Sequence, residues 1–455
     1  MNGSSAFRST EHTSAVDALA TVMVELTGAP LPAPLDDRIR LILFDLLGVT
    51  LAGARTAEMV AVRREWDAEP GSTYPIGGSV GTTIDTAAEL DAIASCCLEL
   101  DEGNKYAAGH PAAHVLPAAI AAARLAPTPI PGSTFLAAVV AGYEVAARFG
   151  WALTRHSSWH THGHWGATGA ATAAALLRGA DANEVAAAID SSSALVQVAP
   201  WAVVLDGNFS RNLWIGGAAR AGVNAARLAR SGIVHNSGAI EHTLGALVGT
   251  LNTARLTEDL GDRWLTLEGY TKQHASCSYT HAAVDAVQSL RASADWSAED
   301  VEHVRVRTHS LAEPLFGRHP SSRLGAMFSL PFVVAAALVS DEIDVDSLDP
   351  RGAGFSAAES LSDRVDVTTS TELDALLPER RAAEVTIEFR DGTTLSATAP
   401  NPVGDIDHFP MNFSAVRAKI ARLVGKSDTA VIEDIVDSLG DTEDVAALLR
   451  ALPSR

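Results

Sequence analysis

The chain has 455 residues, a formal net charge of -21, 47% hydrophobic and 20% charged residues. That length exceeds one ordinary core and implies two or three domains, and the acidic balance excludes a general nucleic-acid binder, which needs a basic face. The three cysteines, Cys96, Cys97 and Cys277, include no Cys-x-x-Cys pair, which excludes a zinc ribbon and suits a reducing cytoplasm.

The first ~20 residues are polar and read as frayed at their start. They carry neither the basic start nor the apolar core of a secretion signal. No stretch reaches the ~20 apolar residues that span a bilayer, so a soluble cytoplasmic protein with no membrane partner is expected. The run DDRIRLILFDLLGVTLAGA then has apolar residues at helical spacing, with Asp36 and Asp37 where a cap belongs. Ala-rich helical patterns follow to about residue 260, for example TAAELDAIASCCLEL and GSTFLAAVVAGYEVAARFGWAL. Ala is the strongest helix former. Beyond about residue 270 the pattern changes. VEHVRVRTHS alternates as a half-buried strand does, and AAEVTIEFRDGTTLSATAP reads as a hairpin turning at Asp391-Gly392. LGAMFSLPFVVAAALVSD between them is a buried helix broken by Pro331, and the chain returns to helix from Pro410. A mainly α protein is expected: an all-helical domain from residues 1–268 and 410–455, discontinuous in sequence, and an α+β unit over residues 269–409.

Four segments carry chemistry. Residues 98–117, LELDEGNKYAAGHPAAHVLP, gather Glu99, Asp101, Glu102, Lys105, His110 and His114 in a loop between apolar helices, with a helix start at His110-Pro111. RHSSWHTHGHWGATGAATAAALL holds His156, His160, His162 and His164. On a helix His160 and His164 would share a face and suit a metal. Gly163 and Gly166 instead make the run a loop leading into a helix; it lacks an HExxH pattern and a clear acidic third ligand, and no metal is expected. An imidazole in proton transfer or carboxylate binding fits better. In VVLDGNFSRNLWIGGAARAG, Arg211 precedes a small-residue helix beginning near Gly216, a ready anion site. YTKQHASCSYTHAAVDAV places Lys272, His274, Cys277, Tyr279 and His281 where the helical pattern gives way; a thiol beside Lys and His can have a lowered pKa. Each segment also has a plain structural reading, as a solvated loop, a close helix crossing or a buried thiol.

Together, and in this order, the four segments resemble the MmgE/PrpD family over nearly the whole chain, from ILFDLLGVTLAGA to the last helices. The resemblance implies a large all-helical domain with a smaller α+β lid, an active site between them, a homodimer, and no organic cofactor or metal. It implies carbanion chemistry beside a carboxylate, as in 2-methylcitrate dehydratase, cis-aconitate decarboxylase and iminodisuccinate epimerase. The His-Pro of the acidic loop matches His110, the histidine six residues before a glycine matches His160, and Lys272 and His281 match. Arg211 stands where family members carry a lysine, and Cys277 where they carry a histidine. The expected catalytic set is His160, Cys277, His110 and Asp101. The expected binding set for a small-molecule carboxylate is Arg211, Lys272, Lys105, His281, Glu102 and His164. A dehydratase-type lyase is the leading reading. An epimerase with Cys277 as one base, a catalytically silent binding protein and a metal-dependent hydrolase are the alternatives.

Overall fold

A computed structural model describes residues 10–66 and 71–454. The fold is mainly α, a large helical body with a smaller α+β unit. The body is built from α1 (Glu11–Thr27), α2 (Ala33–Ala54), α3 (Ile84–Cys96), α4 (Pro111–Leu125), α5 (Gly132–Ala152), α6 (Gly166–Leu176), α7 (Ala182–Ser193) and α8 (Leu213–Arg230). At its centre α6 packs against α4, α5, α7 and α8 at once. Every residue of α6 is buried, and eight-elevenths of it is Gly or Ala in the run GATGAATAAAL. Small side chains are what allow this crowding. A Cβ on Gly169 would stand 2.2 Å from the Gly142 carbonyl oxygen of α5, closer than real Cβ contacts come.

Several local expectations change. Helix α1 is capped by Thr10 through a capping box with Thr13; the fraying expected at the start of the chain falls on residues 1–9, which lie outside the described residues. Asp36 does not cap α2. The helix opens at Ala33 after Pro32, and Asp36 lies in its first turn, where its carboxylate meets Arg40 at 2.7 Å. Among the described residues α5 is long and apolar enough to cross a membrane by length and composition, which the sequence reading denied to every stretch; 94% of its apolar window is buried in the body.

The α+β unit contains α9 (Ser278–Ser293), α10 (Leu330–Val339), α11 (Phe355–Ser362) and strands β1 (Val301–Thr308), β2 (Val365–Thr369), β3 (Ala383–Phe389) and β4 (Thr394–Ala399). The sheet order is β2-β1-β3-β4, with β1 and β2 parallel and the other pairs antiparallel. Strand β3 alternates strictly, burying Ala383, Val385, Ile387 and Phe389. Its hairpin turns at Gly392, whose φ is +84°. Helix α9 lies over β3 and β4 and packs against α10. The break ahead of α10 falls at Phe328-Ser329, with Pro331 in the helix's first turn. The final helices, α12 (Phe413–Val424) and α13 (Lys426–Ser438), pack on α2. There Lys419 donates to Asp45 at 2.7 Å and to the Leu100 carbonyl at 2.9 Å. The C-terminal helices thus brace the loop that carries Glu99 and Asp101.

Candidate active site

Helix α3 ends at Cys96, and the chain enters the acidic loop with Glu99 at φ +54°. A non-glycine residue held there costs on the order of 1–2 kcal/mol, and its surroundings hold it in place. Arg211 and Lys272 converge on its carboxylate. The Arg211 guanidinium meets Oε1, and Lys272 Nζ is 3.1 Å from Oε2. Lys272 Nζ is also 3.7 Å from Asp101, whose other oxygen is 3.3 Å from His110 Nδ1. Lys272 reaches this point because Gly269–Tyr270 pairs antiparallel with Gly103–Asn104, stitching the lid-side stretch to the acidic loop. Arg211 lies in a single 3-10 turn, Phe209–Asn212, just ahead of α8. It also donates to the Cys96 carbonyl at 3.2 Å and faces the Phe328 ring at 5.1 Å.

The opposite wall is aromatic and imidazole. The His160 ring lies 4.2 Å from His162, 4.5 Å from Trp201 and 5.9 Å from Phe328, centroid to centroid. His162 lies 5.2 Å from His110. Gly163, at φ +90°, turns the loop so that His160 and His162 enter the cluster. Two other histidines hold the backbone. His114 Nδ1 lies 2.8 Å from the His110 carbonyl, and its Nε2 accepts from the Gly163 amide at 3.3 Å. His164 Nε2 donates to the His160 carbonyl at 2.9 Å. Both ring nitrogens of His162 and Nδ1 of His160 lack hydrogen-bond partners although buried. Buried groups of this kind call for an explanation, and a catalytic role is one.

The two walls differ in charge. Burial alone would raise the Glu99 carboxyl, but Arg211 and Lys272 more than offset it and hold it below its usual range. Burial works against the Lys272 ammonium, yet Glu99 and Asp101 hold its proton more firmly than in water. His160 and His162 are pushed well below the usual imidazole range by burial and then by Arg211, so both are neutral at pH 7. Burial, reinforced by Glu99, pushes the Cys277 thiol up to about 11. All these side chains are buried, from 0% exposure at Lys272 to 8% at Cys277. Among the described residues no group of three His, Cys, Asp or Glu side chains could hold a metal ion.

Residues 17–259 match the MmgE/PrpD N-terminal domain and residues 274–441 match the MmgE/PrpD C-terminal domain. The chain belongs to the MmgE/PrpD family. It is similar to the cis-aconitate decarboxylase-like protein oryM of Aspergillus oryzae, 26% identical over 95% of each chain. It is also similar to the cis-aconitate decarboxylase of Aspergillus terreus, 24% identical over 93% of this chain and 92% of the relative. As a member of this family it is an enzyme of the lyase type.

Within this MmgE/PrpD chain the structure gathers Asp101, His110, His160, Arg211 and Lys272 from the expected set and adds Glu99 and His162. Four expected residues are engaged elsewhere. Lys105 pairs with Asp407 and, at 3.4 Å, with Asp405. Glu102 accepts from the Ala112 amide at 2.6 Å and from Tyr143 at 3.0 Å; burial pushes its carboxyl up to about 8, so it is a neutral buttress for α4. His281 contacts the Ser276 carbonyl at 3.1 Å. His164 is a backbone clamp, and burial pushes its imidazole down to about 3. Cys277 keeps its place at the start of α9, but the expected lowered pKa is reversed. The thiol is removed from water, and Glu99 is the largest charge acting on it.

Proposed function

We propose that this protein is a lyase of the dehydratase or decarboxylase type that breaks a bond beside a carboxylate of a small polycarboxylic acid. One observation carries the reading: two buried, charged cations, Arg211 and Lys272, face buried imidazoles that are neutral. In such reactions negative charge grows on a carbon next to a carboxylate and spreads into it. Fixed cations at that carboxylate stabilise the charge without reorganising. The substrate carboxylate would sit against Arg211 and Lys272, sharing them with Glu99 and Asp101.

Proton transfer falls to the imidazoles. A carbonyl oxygen only accepts, so the 2.6 Å contact of His110 Nδ1 with the Glu102 carbonyl fixes the proton on Nδ1. The Nε2 lone pair is then free to receive a proton. In an elimination, His110 or His162 takes the α-proton, and a neighbouring imidazole gives a proton to the departing hydroxyl, which leaves as water. In a decarboxylation, carbon dioxide departs with its bond pair left on carbon, and an imidazole N–H or the Cys277 thiol returns a proton there. Trp201 and Phe328 against His160 help to keep water out. Two-base epimerisation has less support, because a thiol at about 11 holds its proton at neutral pH. Within this reading the enzyme works in the cytoplasm as a homodimer and uses no cofactor.

The test offers purified protein cis-aconitate, which the fungal relatives' names supply, together with malate, citrate and methylcitrate. Release of carbon dioxide or new alkene absorbance is the expected result. Silence across all of them would overturn the reading.

A further inference from the structure

A cleft of about 600 Å³ opens between the end of α4, the loop over residues 71–82 and the C-terminal turns from Ala446 to Ser454. It is remote from the candidate active site. Helix α4 begins at Pro111, next to His110, and reaches the cleft at its other end through Arg124. Its 15 residues, at a rise of about 1.5 Å each, put roughly 20 Å between the two. The loop holds its shape through its own backbone. Thr73 and Thr82 exchange hydrogen bonds at 3.2 and 2.8 Å, and Gly77 pairs with Ser454. The Asp91 carboxylate of α3 accepts from the Ile76 amide at 2.7 Å and anchors the loop to the body.

The charge of the cleft runs against that of the chain. Acidic residues outnumber basic ones 55 to 34 overall, yet among the described residues Arg124 and Arg450 line the cleft and no Asp or Glu does. Among the described residues neither arginine forms an ion pair, and the one protein acceptor between them is the Tyr74 carbonyl, 3.1 Å from Arg124 Nη1. Each guanidinium carries five N–H donors, so most are left to solvent or a ligand. Burial pushes the Arg124 guanidinium down from its ordinary range; Asp91 opposes, and Arg450 adds to the push. Two like charges thus share one cleft, and an anion between them would relieve their repulsion. The other walls offer the hydroxyls of Ser72, Thr73, Tyr74 and Ser454 and an apolar surface from Ile76, Leu449 and Leu452. Guanidinium forks suit carboxylates and phosphates alike. A phosphate monoester presents three oxygens where a carboxylate presents two, which answers two forks and a set of hydroxyls more fully. A cleft of this size also has room for an organic body beside the anion. We propose that this cleft binds a small phosphate monoester with an apolar body, at a site separate from the candidate active site. The inference does not depend on the lyase reading.

The test is calorimetric titration of the full-length protein with phenyl phosphate, inorganic phosphate and phenol. Phenyl phosphate is expected to bind more tightly than inorganic phosphate, and phenol to give no measurable binding. Arg450→Gln is expected to weaken phenyl phosphate about tenfold or more; Arg450 is exposed, so this variant keeps the fold. Arg124→Gln is expected to weaken it likewise, and Arg211→Gln, at the candidate active site, to leave it unchanged. Failure of wild type to bind phenyl phosphate would overturn the inference. So would wild-type affinity in Arg450→Gln, or loss of binding in Arg211→Gln, which would put the probe in the other site.

Discussion

The two walls of the site solve burial in opposite ways. On one wall Glu99, Arg211 and Lys272 stay charged because each has an opposite charge within ion-pair distance. On the other, His110, His160 and His162 lose their charge to burial, and Arg211 depresses His160 and His162 further. Charge in a dry interior must be matched or abandoned, and this site does one on each side. The arrangement sets fixed cations, which stabilise developing negative charge, opposite proton carriers that start out neutral.

The comparison can be broken most severely at Arg211. Arg211→Gln leaves Glu99 with Lys272 alone; a broken buried pair costs about 3–5 kcal/mol, readable by urea unfolding. It should also lower kcat/KM about 1000-fold, with Arg211→Lys recovering part of the loss. His160→Gln removes a neutral group instead. Its rate should fall about 100-fold, while its urea midpoint moves less than that of Arg211→Gln. Stability losses as large as those at Arg211 would show that the histidine wall also depends on charge.

Acid separates the walls by pH. The folded pKa values of His160 and His162 lie below the ordinary 6.5, so the unfolded chain binds protons that the folded one does not. Their stabilisation is present above pH 6.5 and is lost as pH falls below it. The Glu99 carboxyl, held below 4.5, loses its contribution only at more acid pH. Melting temperature should therefore begin to fall between pH 6.5 and 5, before the ionic wall is touched. A flat profile there would mean that the imidazoles are not held neutral. Glu102 runs the other way. Its folded pKa of about 8 lies above the ordinary 4.5, so its contribution is complete below 4.5 and is lost as pH rises towards 8. Glu102→Gln should gain on wild type in melting temperature across that window. The smallest effect is expected at Cys277. A thiol at about 11 is no base at neutral pH, so Cys277→Ser should slow turnover by less than about tenfold.

The fold was legible because Ala-rich helical spacing and strict strand alternation report burial directly. Strand β2 escaped, since VDVTT is short and pairs in parallel with β1, so no hairpin turn announces it. In the site, the ionisable clusters were legible as clusters, but side-chain direction was not. His160 and His164 looked equivalent by spacing. The turn at Gly163 sends His162 into the cluster beside His160 and leaves His164 to clamp the His160 carbonyl. Lys105 looked like a free cation because Asp405 and Asp407, its partners, lie some 300 residues away.

The most direct measurement follows cis-aconitate and the hydroxy acids by NMR in deuterated buffer, with wild type and Arg211→Gln side by side. The expected result is loss of carbon dioxide or water, with deuterium exchange confined to carbons beside a carboxylate, and near-absence of both in the variant. Turnover of the same acid by Arg211→Gln at the wild-type rate would contradict the account.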